Sequence, residues 1–275
     1  MMNIKIGFEL TYQCPQPTPM VLTLNVHPER RSDLVTVDAL RFAPSIPHTQ
    51  YSDSFGNICT RIVAPAGTTT IATDAMVVDT GLADAIAPDA WQTAVEHLPP
   101  ETLVFLQGSR YCETDLLSER AWALFGQTPL GWARVQAICH FVHNHIKFRY
   151  ADARATRSAL GAFEERKGVC RDFAHLAIAL CRCMNIPARY CTGYLGDIGV
   201  PLDPEPMDFS AWFEAYLGGR WYTFDARHNK PRIGRILMAR GRDATDCPLS
   251  NAFGLNTLTG FKVWTEELPP AAARA

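Results

Sequence analysis

The strongest chemical signal in the sequence is a cysteine at the point where a loop runs into an apolar helix. The stretch "RKGVCRDFAHLAIALCRC", residues 166–183, places Cys170 just after Gly168 and ahead of apolar residues at helical spacing. A cysteine is nucleophilic only as its thiolate, and a helix amino terminus lowers the thiol pKa through unpaired N–H groups. We therefore expect Cys170 to be a nucleophile with a lowered pKa. The alternative is a structural cysteine at a helix start.

A second segment could supply the partners of this thiol. "FSAWFEAYLGGRWYTFDAR", residues 209–227, has two alternating aromatic strands around Gly218-Gly219, which predicts a β-hairpin. Together the two segments resemble the transglutaminase-like superfamily, and in particular its bacterial, cysteine-protease-like branch. The resemblance covers residues 130–261. It implies a papain-like fold in which a cysteine, a histidine and an aspartate transfer acyl groups from amides.

The resemblance assigns roles to three positions. Cys170 matches the thiol nucleophile, and Asp225 in "WYTFDAR" matches the aspartate that orients the base. The position of the histidine holds Ser210, in "DFSAWFEAY". A serine hydroxyl has no useful basicity near neutral pH, so it cannot act as the general base. The general base is therefore missing from its expected place.

Three other residues could repair this site. His228, in "FDARHNKP", lies three residues past Asp225 and would reach the thiol by folding back. His175 lies five residues along the cysteine helix, an offset that points well round the helix axis. Asp208 lies two residues before the serine and would hold a water or pair with a distant imidazole. Each has an ordinary structural role as its alternative.

The elements that position these residues follow the order strands, helices, strands. The pattern predicts an α+β protein, with an N-terminal antiparallel β domain before a papain-like transglutaminase core of helices packed on an antiparallel sheet. Helices are predicted at Leu116–Phe125 and Leu130–Ile146. The predicted segments are a β domain at 1–80, a linker or extended arm at 81–100, the cysteine-nucleophile core at 101–268 and a tail at 269–275.

Composition excludes several classes of partner. The formal charge of −2 supplies no basic field, so neither nucleic acid nor a membrane surface is expected as a partner. The basic stretch Lys230–Arg242 is interleaved with apolar residues and predicts a solvated strand or loop. The sequence begins without a signal-peptide pattern and contains no run of about 18 apolar residues, so we expect a cytoplasmic protein.

The cysteines and histidines give no metal signature. Nine cysteines are scattered along the chain without the spacing of zinc ligands, and His140 and His143 lie one turn apart without a third ligand nearby. We therefore expect reduced cysteines, no metal and no cofactor. The sequence carries no indication of an oligomeric state.

Two functions from different classes follow. The first is a bacterial cysteine hydrolase or acyl-transferase that acts through Cys170 on a peptide, isopeptide or glutamine side chain, with a peptide or protein as substrate. The second is a non-catalytic protein of the same fold that binds a peptide or protein partner, motivated by Ser210. A redox module that uses the cysteines as thiols is a weaker third.

Overall fold

Antiparallel strands build the amino-terminal part of the chain in this computed structural model, which describes residues 1–269. Along β1 the residues Ile4, Ile6, Phe8 and Leu10 are at most 1% exposed, so the period of two found in the sequence marks one buried face. The strands in chain order are β1 (Met2–Cys14), β2 (Thr18–Leu22), β3 (Arg41–Ala43), β4 (Thr49–Ser52), β5 (Ile58–Ala64) and β6 (Gly67–Asp79).

The central helix of the next part is α4, which begins at Cys170. It is buried along nearly its whole length because the other helices pack on one side of it and a sheet packs on the other. Two short strands, β7 and β8, pair in parallel beside it. The elements in chain order are α1 (Thr114–Phe125), α2 (Trp132–His145), β7 (Lys147–Phe148), α3 (Ala159–Glu165), β8 (Lys167–Gly168) and α4 (Cys170–Cys183).

A four-stranded antiparallel sheet covers the other side of α4. Its order is β11-β10-β9-β12, and β10 and β11 form the predicted hairpin. The remaining strands are β9 (Ala188–Leu195), β10 (Ser210–Leu217), β11 (Arg220–Phe224), β12 (Arg235–Gly241), β13 (Ser250–Ala252) and β14 (Thr257–Leu268). The predicted α+β class, with helices packed on an antiparallel sheet behind a β domain, is confirmed.

The last two strands return to the amino-terminal sheets. β14 pairs with β1 in the sheet β14-β1-β6-β3, and β13 pairs with β2 in the sheet β13-β2-β5-β4. We call these two sheets together the β sandwich. The sequence prediction placed this carboxy-terminal stretch in the core, but β14 completes the sandwich by covering the free edge of β1 with hydrogen bonds. Residues 270–275 of the predicted tail lie outside the described residues.

The basic stretch near residue 235 is not solvated, contrary to the prediction. All seven residues of β12 are buried. Each buried arginine in this region has an acidic partner: Arg232 pairs with Asp197, Arg235 with Asp84 and Asp225, and Arg240 with Glu29. These partners are distant in sequence, so a local charge pattern does not reveal that the arginines are neutralised.

Residues 81–100 form an irregular arm along the core. Ala83 bridges to Ile233, and the Gly218 N–H donates to the Trp91 carbonyl at 2.9 Å. The arm also brings Asp84 to Arg235 of β12. No helix within residues 1–269 is long and apolar enough to cross a membrane.

Asn57 joins the β sandwich to the core sheet. It is fully buried in the turn between β4 and β5. Its Nδ2 donates to the Arg240 carbonyl at 2.8 Å, and its Oδ1 accepts from the Arg240 N–H at 2.9 Å. A single side chain therefore satisfies both backbone groups of a residue in β12.

Asn57→Ala is expected to destabilise the protein, because it leaves two buried backbone groups without partners. The expected loss is about 2–4 kcal/mol in the free energy of unfolding, measured by urea titration. Asn251→Ala, at an exposed position on β13, is the control and should change stability by less than about 0.5 kcal/mol. Equal stability of the two variants would show that the side chain does not join the sheets.

Candidate active site

Cys170 is the first residue of α4 and the most accessible of the nine cysteines. It is partly exposed, whereas the other eight are buried. The helix start is fixed because the Asp172 carboxylate accepts the Val169 N–H at 2.9 Å and is itself paired with Arg157 at 3.0 Å. Cys170 lines two neighbouring cavities of about 260 Å³ and about 500 Å³. We call the smaller one the polar cavity and the larger one the apolar groove.

Asp225 lies just after β11, with its side chain 2% exposed. One carboxylate oxygen, Oδ2, is 2.8 Å from His228 Nδ1 and accepts from Arg235 Nη2 at 2.7 Å. The other oxygen accepts the His228 backbone N–H at 2.9 Å. Burial alone would raise the pKa of Asp225, but Arg235 and the hydrogen bonds from His228 outweigh burial and hold the pKa well below its usual range. The carboxylate is therefore ionised.

His228 is the candidate histidine that the structure pairs with Asp225. An ionised carboxylate can only accept, so its bond to Nδ1 requires the proton to be on Nδ1 and leaves Nε2 free to accept a proton. The imidazole lines the polar cavity together with Cys170. The chain thus places a thiol and an imidazole in the lining of one cavity, with the imidazole paired to a buried carboxylate.

Ser210 lies on the sheet face where the imidazole is found. Side chains alternate along a strand, so Ser210 faces the side opposite to Phe213, and Asp225 faces the side opposite to Phe224. Because Phe213 and Phe224 are paired across the hairpin, Ser210 and Asp225 share a face. The Ser210 hydroxyl lines the polar cavity, is buried, and has no hydrogen-bond partner among residues 1–269. Ser210 and His228 are both in the lining of this cavity.

His175 is not brought to the nucleophile. It is fully buried, its ring stacks on Tyr111 with centroids 5.1 Å apart, and its Nε2 accepts the Ala244 N–H at 3.1 Å. Burial lowers the pKa of His175 to about 3, so the ring stays neutral. It lines neither the polar cavity nor the apolar groove. These contacts are those of a structural histidine.

The thiol environment differs from the sequence expectation. The pKa of Cys170 is raised to about 11, chiefly by burial and in addition by the Asp208 carboxylate. Arg227 and the backbone N–H groups of Ala211 and Arg171 act in the opposite direction but do not compensate. The direction is opposite to the lowering that the sequence predicted from the helix amino terminus, because burial and a neighbouring negative charge both disfavour the thiolate.

Two arginines of the site were missed by sequence reasoning. Arg235 holds Asp225 from the second side, and Arg227 lies over the Phe148 ring at 3.8 Å while it lines the polar cavity. The available signal was an arginine within an alternating apolar strand ten residues after Asp225. Within residues 1–269 no group of three or more His, Cys, Asp or Glu side chains is arranged to hold a metal ion.

Comparison with a family model identifies the part of the chain that carries the fold. The model of the transglutaminase-like superfamily matches residues 123–226. This range contains Cys170, Ser210 and Asp225 and ends two residues before His228. The matched range therefore includes Cys170 and Asp225 but not His228, which the structure pairs with Asp225.

A solved structure extends the similarity to the whole chain. A "Putative Cysteine Protease" from Cytophaga hutchinsonii is 31% identical, with a TM-score of 0.84, and the match covers 98% of this chain and 92% of that chain. An uncharacterized protein of Mycobacterium leprae is 36% identical over 114 residues, 40% of each chain. An uncharacterized protein of Mycobacterium tuberculosis H37Rv is 35% identical over 92 residues, which span 29% of its length and 30% of this chain.

The match to the Cytophaga protein includes the β sandwich as well as the core, so the similarity is not limited to the cysteine helix and the hairpin. Together with the match to the family model, it shows that this chain belongs to the transglutaminase-like superfamily.

Proposed function

We propose that this protein is a cysteine hydrolase or acyl-transferase that acts on amide bonds through Cys170, with His228 as the general base and Asp225 as the residue that orients it. The observation that carries the proposal is the 2.8 Å contact between His228 Nδ1 and the buried Asp225 carboxylate, made by an imidazole that lines the same cavity as the thiol. This is the arrangement of an activated nucleophile.

In the proposed reaction, Cys170 Sγ attacks the amide carbonyl carbon while His228 Nε2 takes the thiol proton. The resulting oxyanion is stabilised by backbone N–H groups at the start of α4. The backbone N–H of Cys170 itself is the first of these donors. When the C–N bond breaks, the imidazolium returns its proton to the leaving amine and a thioester remains. Water completes hydrolysis, or an amine completes transfer, with His228 again accepting the proton.

The raised pKa of the thiol determines how the nucleophile is activated. Because Cys170 is protonated at neutral pH in the free protein, the proton must move to His228 as the sulfur attacks. The Asp225 carboxylate remains ionised and stabilises the imidazolium that forms. This activation resembles that of a serine hydrolase more than that of a preformed thiolate–imidazolium pair.

A non-catalytic protein that binds a peptide or protein partner in the same cleft is the alternative. The protonated resting thiol and the serine at position 210 favour it. It predicts that removal of the Cys170 sulfur leaves binding unchanged and that no substrate turns over. We also propose a reducing, cytoplasmic location, which is supported by the free state of all nine cysteines.

Turnover is expected to require both Cys170 and His228. With a panel of peptides, isopeptides and glutamine amides, assayed for released ammonia or amine, Cys170→Ala should abolish turnover. His228→Ala should reduce kcat/KM by at least about 100-fold, the usual contribution of a general base. His97→Ala, at an exposed position on the arm, is the control and should keep full activity. Unchanged activity in His228→Ala would contradict its role as the base.

The alkylation rate of Cys170 should reveal its raised pKa. The rate at which iodoacetamide alkylates Cys170, measured by peptide mass spectrometry, should rise from pH 7 to pH 10. It should show no plateau near neutral pH, because only the thiolate reacts. Asp208→Asn removes a nearby negative charge, favours the thiolate, and should increase the rate at pH 8. Asp89→Asn, at the surface, should leave the rate unchanged. A plateau below pH 7, or slower alkylation in Asp208→Asn, would contradict this electrostatic description.

A further inference from the structure

The apolar groove meets the polar cavity at Cys170, Asp208 and Phe209, which line both, and its volume of about 500 Å³ can accommodate side chains of a substrate. The β sandwich and the segment that leads to it supply much of its wall. The apolar residues that line it include Leu10 and Tyr12 of β1, Phe209, Leu249, and Leu258 and Phe261 of β14.

The chemistry that the groove offers is apolar contact. The Tyr12 hydroxyl is 2.7 Å from Ser250 Oγ, and the Thr192 hydroxyl donates to the Ser210 carbonyl at 3.0 Å. Arg154, a charged residue in the lining, is paired with Glu165 at 2.5 Å. Two further charged residues, Arg171 and Asp208, line the groove, and Arg171 Nη2 donates to the Arg154 carbonyl at 2.5 Å. The rest of the lining consists largely of apolar side chains.

Two of these side chains are exposed where a ligand would contact them. Leu258 is 46% exposed and Phe261 is 41% exposed. Phe261 is held by Phe209, whose ring makes an edge contact with it at 6.0 Å. Phe209 is itself fixed by Phe8 at 5.7 Å and by Tyr194 at 5.3 Å, so the wall of the groove is a rigid part of the core between the β sandwich and the sheet.

The groove and the polar cavity meet at Cys170. The position of His228 then decides which part of a substrate binds in each of them. His228 lies in the polar cavity, and in the proposed reaction it protonates the leaving amine. The amine side of the scissile bond must therefore lie toward the polar cavity. The acyl side then has the apolar groove, the second cavity that Cys170 lines, as its place.

We infer that the apolar groove is the specificity site for the acyl side of the substrate, and that it binds a large apolar side chain of a peptide next to the scissile amide. This inference rests on the proposed function. It gives the β sandwich a direct role, because β1 and β14 contact the substrate. It also selects a class of substrate: peptides with phenylalanine or leucine, rather than glycine or an acidic residue, on the acyl side.

Alkylation by peptide-like reagents tests this inference directly. N-acetyl-Phe, N-acetyl-Gly and N-acetyl-Glu chloromethyl ketones alkylate a cysteine with formation of the S–C bond and loss of chloride, and the thiol proton passes to His228. Each rate at Cys170 is divided by the rate of the same reagent with glutathione, which removes differences in intrinsic reactivity. The Phe reagent should react about tenfold or more faster than the Gly and Glu reagents, as expected for an apolar pocket.

Variants of the groove show where the preference arises. Phe261→Ser and Leu258→Ser should each reduce the Phe/Gly ratio at least about threefold without changing the rate with iodoacetamide. Phe253→Ser, at a site that is 63% exposed and does not line the groove, is the matched control and should change neither rate. Both groove variants alter side chains on the surface of β14, and circular dichroism melts verify that they fold.

The outcomes separate this inference from the proposed function. A Phe/Gly ratio within twofold of one, or a ratio that both groove variants leave unchanged, would overturn the assignment of the groove while Cys170 remained a nucleophile. Failure of Cys170 to react with any reagent, iodoacetamide included, would overturn the proposed function and this inference with it.

Discussion

The buried carboxylate of Asp225 is the interaction on which the site depends. An ionised group with 2% of its side chain exposed must have strong partners, and Asp225 has two. Arg235 comes from β12, and His228 comes from the loop after the carboxylate's own strand. Arg235 also binds Asp84 at 2.9 Å and lies over the Trp212 ring at 5.1 Å. The arm, the edge strand of the core sheet and the histidine loop are thus joined at one charge.

This constraint explains how the site can keep an imidazole without a histidine at position 210. A histidine on β10 would approach Asp225 from the neighbouring strand. His228 instead follows Asp225 by three residues, and its backbone N–H and its ring both bond to the Asp225 carboxylate. In the second route the imidazole lines the same polar cavity as Ser210. Two bonds to one buried carboxylate hold the His228 ring in a defined orientation even though the residue lies in a loop.

Much of this architecture could be predicted from local patterns. The period of two in β1 and the helical spacing in α2 and α4 each mark a buried face, and the glycine pair at 218–219 marks the hairpin. His228 was one of three candidates because its distance from Asp225 in sequence was short. The sequence could not distinguish these candidates, because the stacking of His175 in the core depends on the tertiary structure. The raised pKa of Cys170 was also beyond sequence reasoning, because it depends on burial and on Asp208 across the cavity.

The carboxy-terminal strand shows the same limit at the level of the fold. The alternation in β14 predicts a strand, but its partner, β1, lies at the other end of the chain. That pairing brings Leu258 and Phe261 into the lining of the apolar groove, which Cys170 also lines. The matched family segment, residues 123–226, contains neither of the two paired strands. The groove therefore draws residues from both ends of the sequence.

Chemical rescue of His228→Gly by imidazole tests the central claim most directly, because it separates the role of the ring from that of the chain that carries it. If His228 is the base, the variant should have little activity alone. Added imidazole should restore turnover in proportion to the concentration of its neutral form, and the Cys170→Ala, His228→Gly double variant should not respond. Full activity of His228→Gly without imidazole, or no response at any concentration, would contradict the assignment of His228 as the base that replaces the missing histidine.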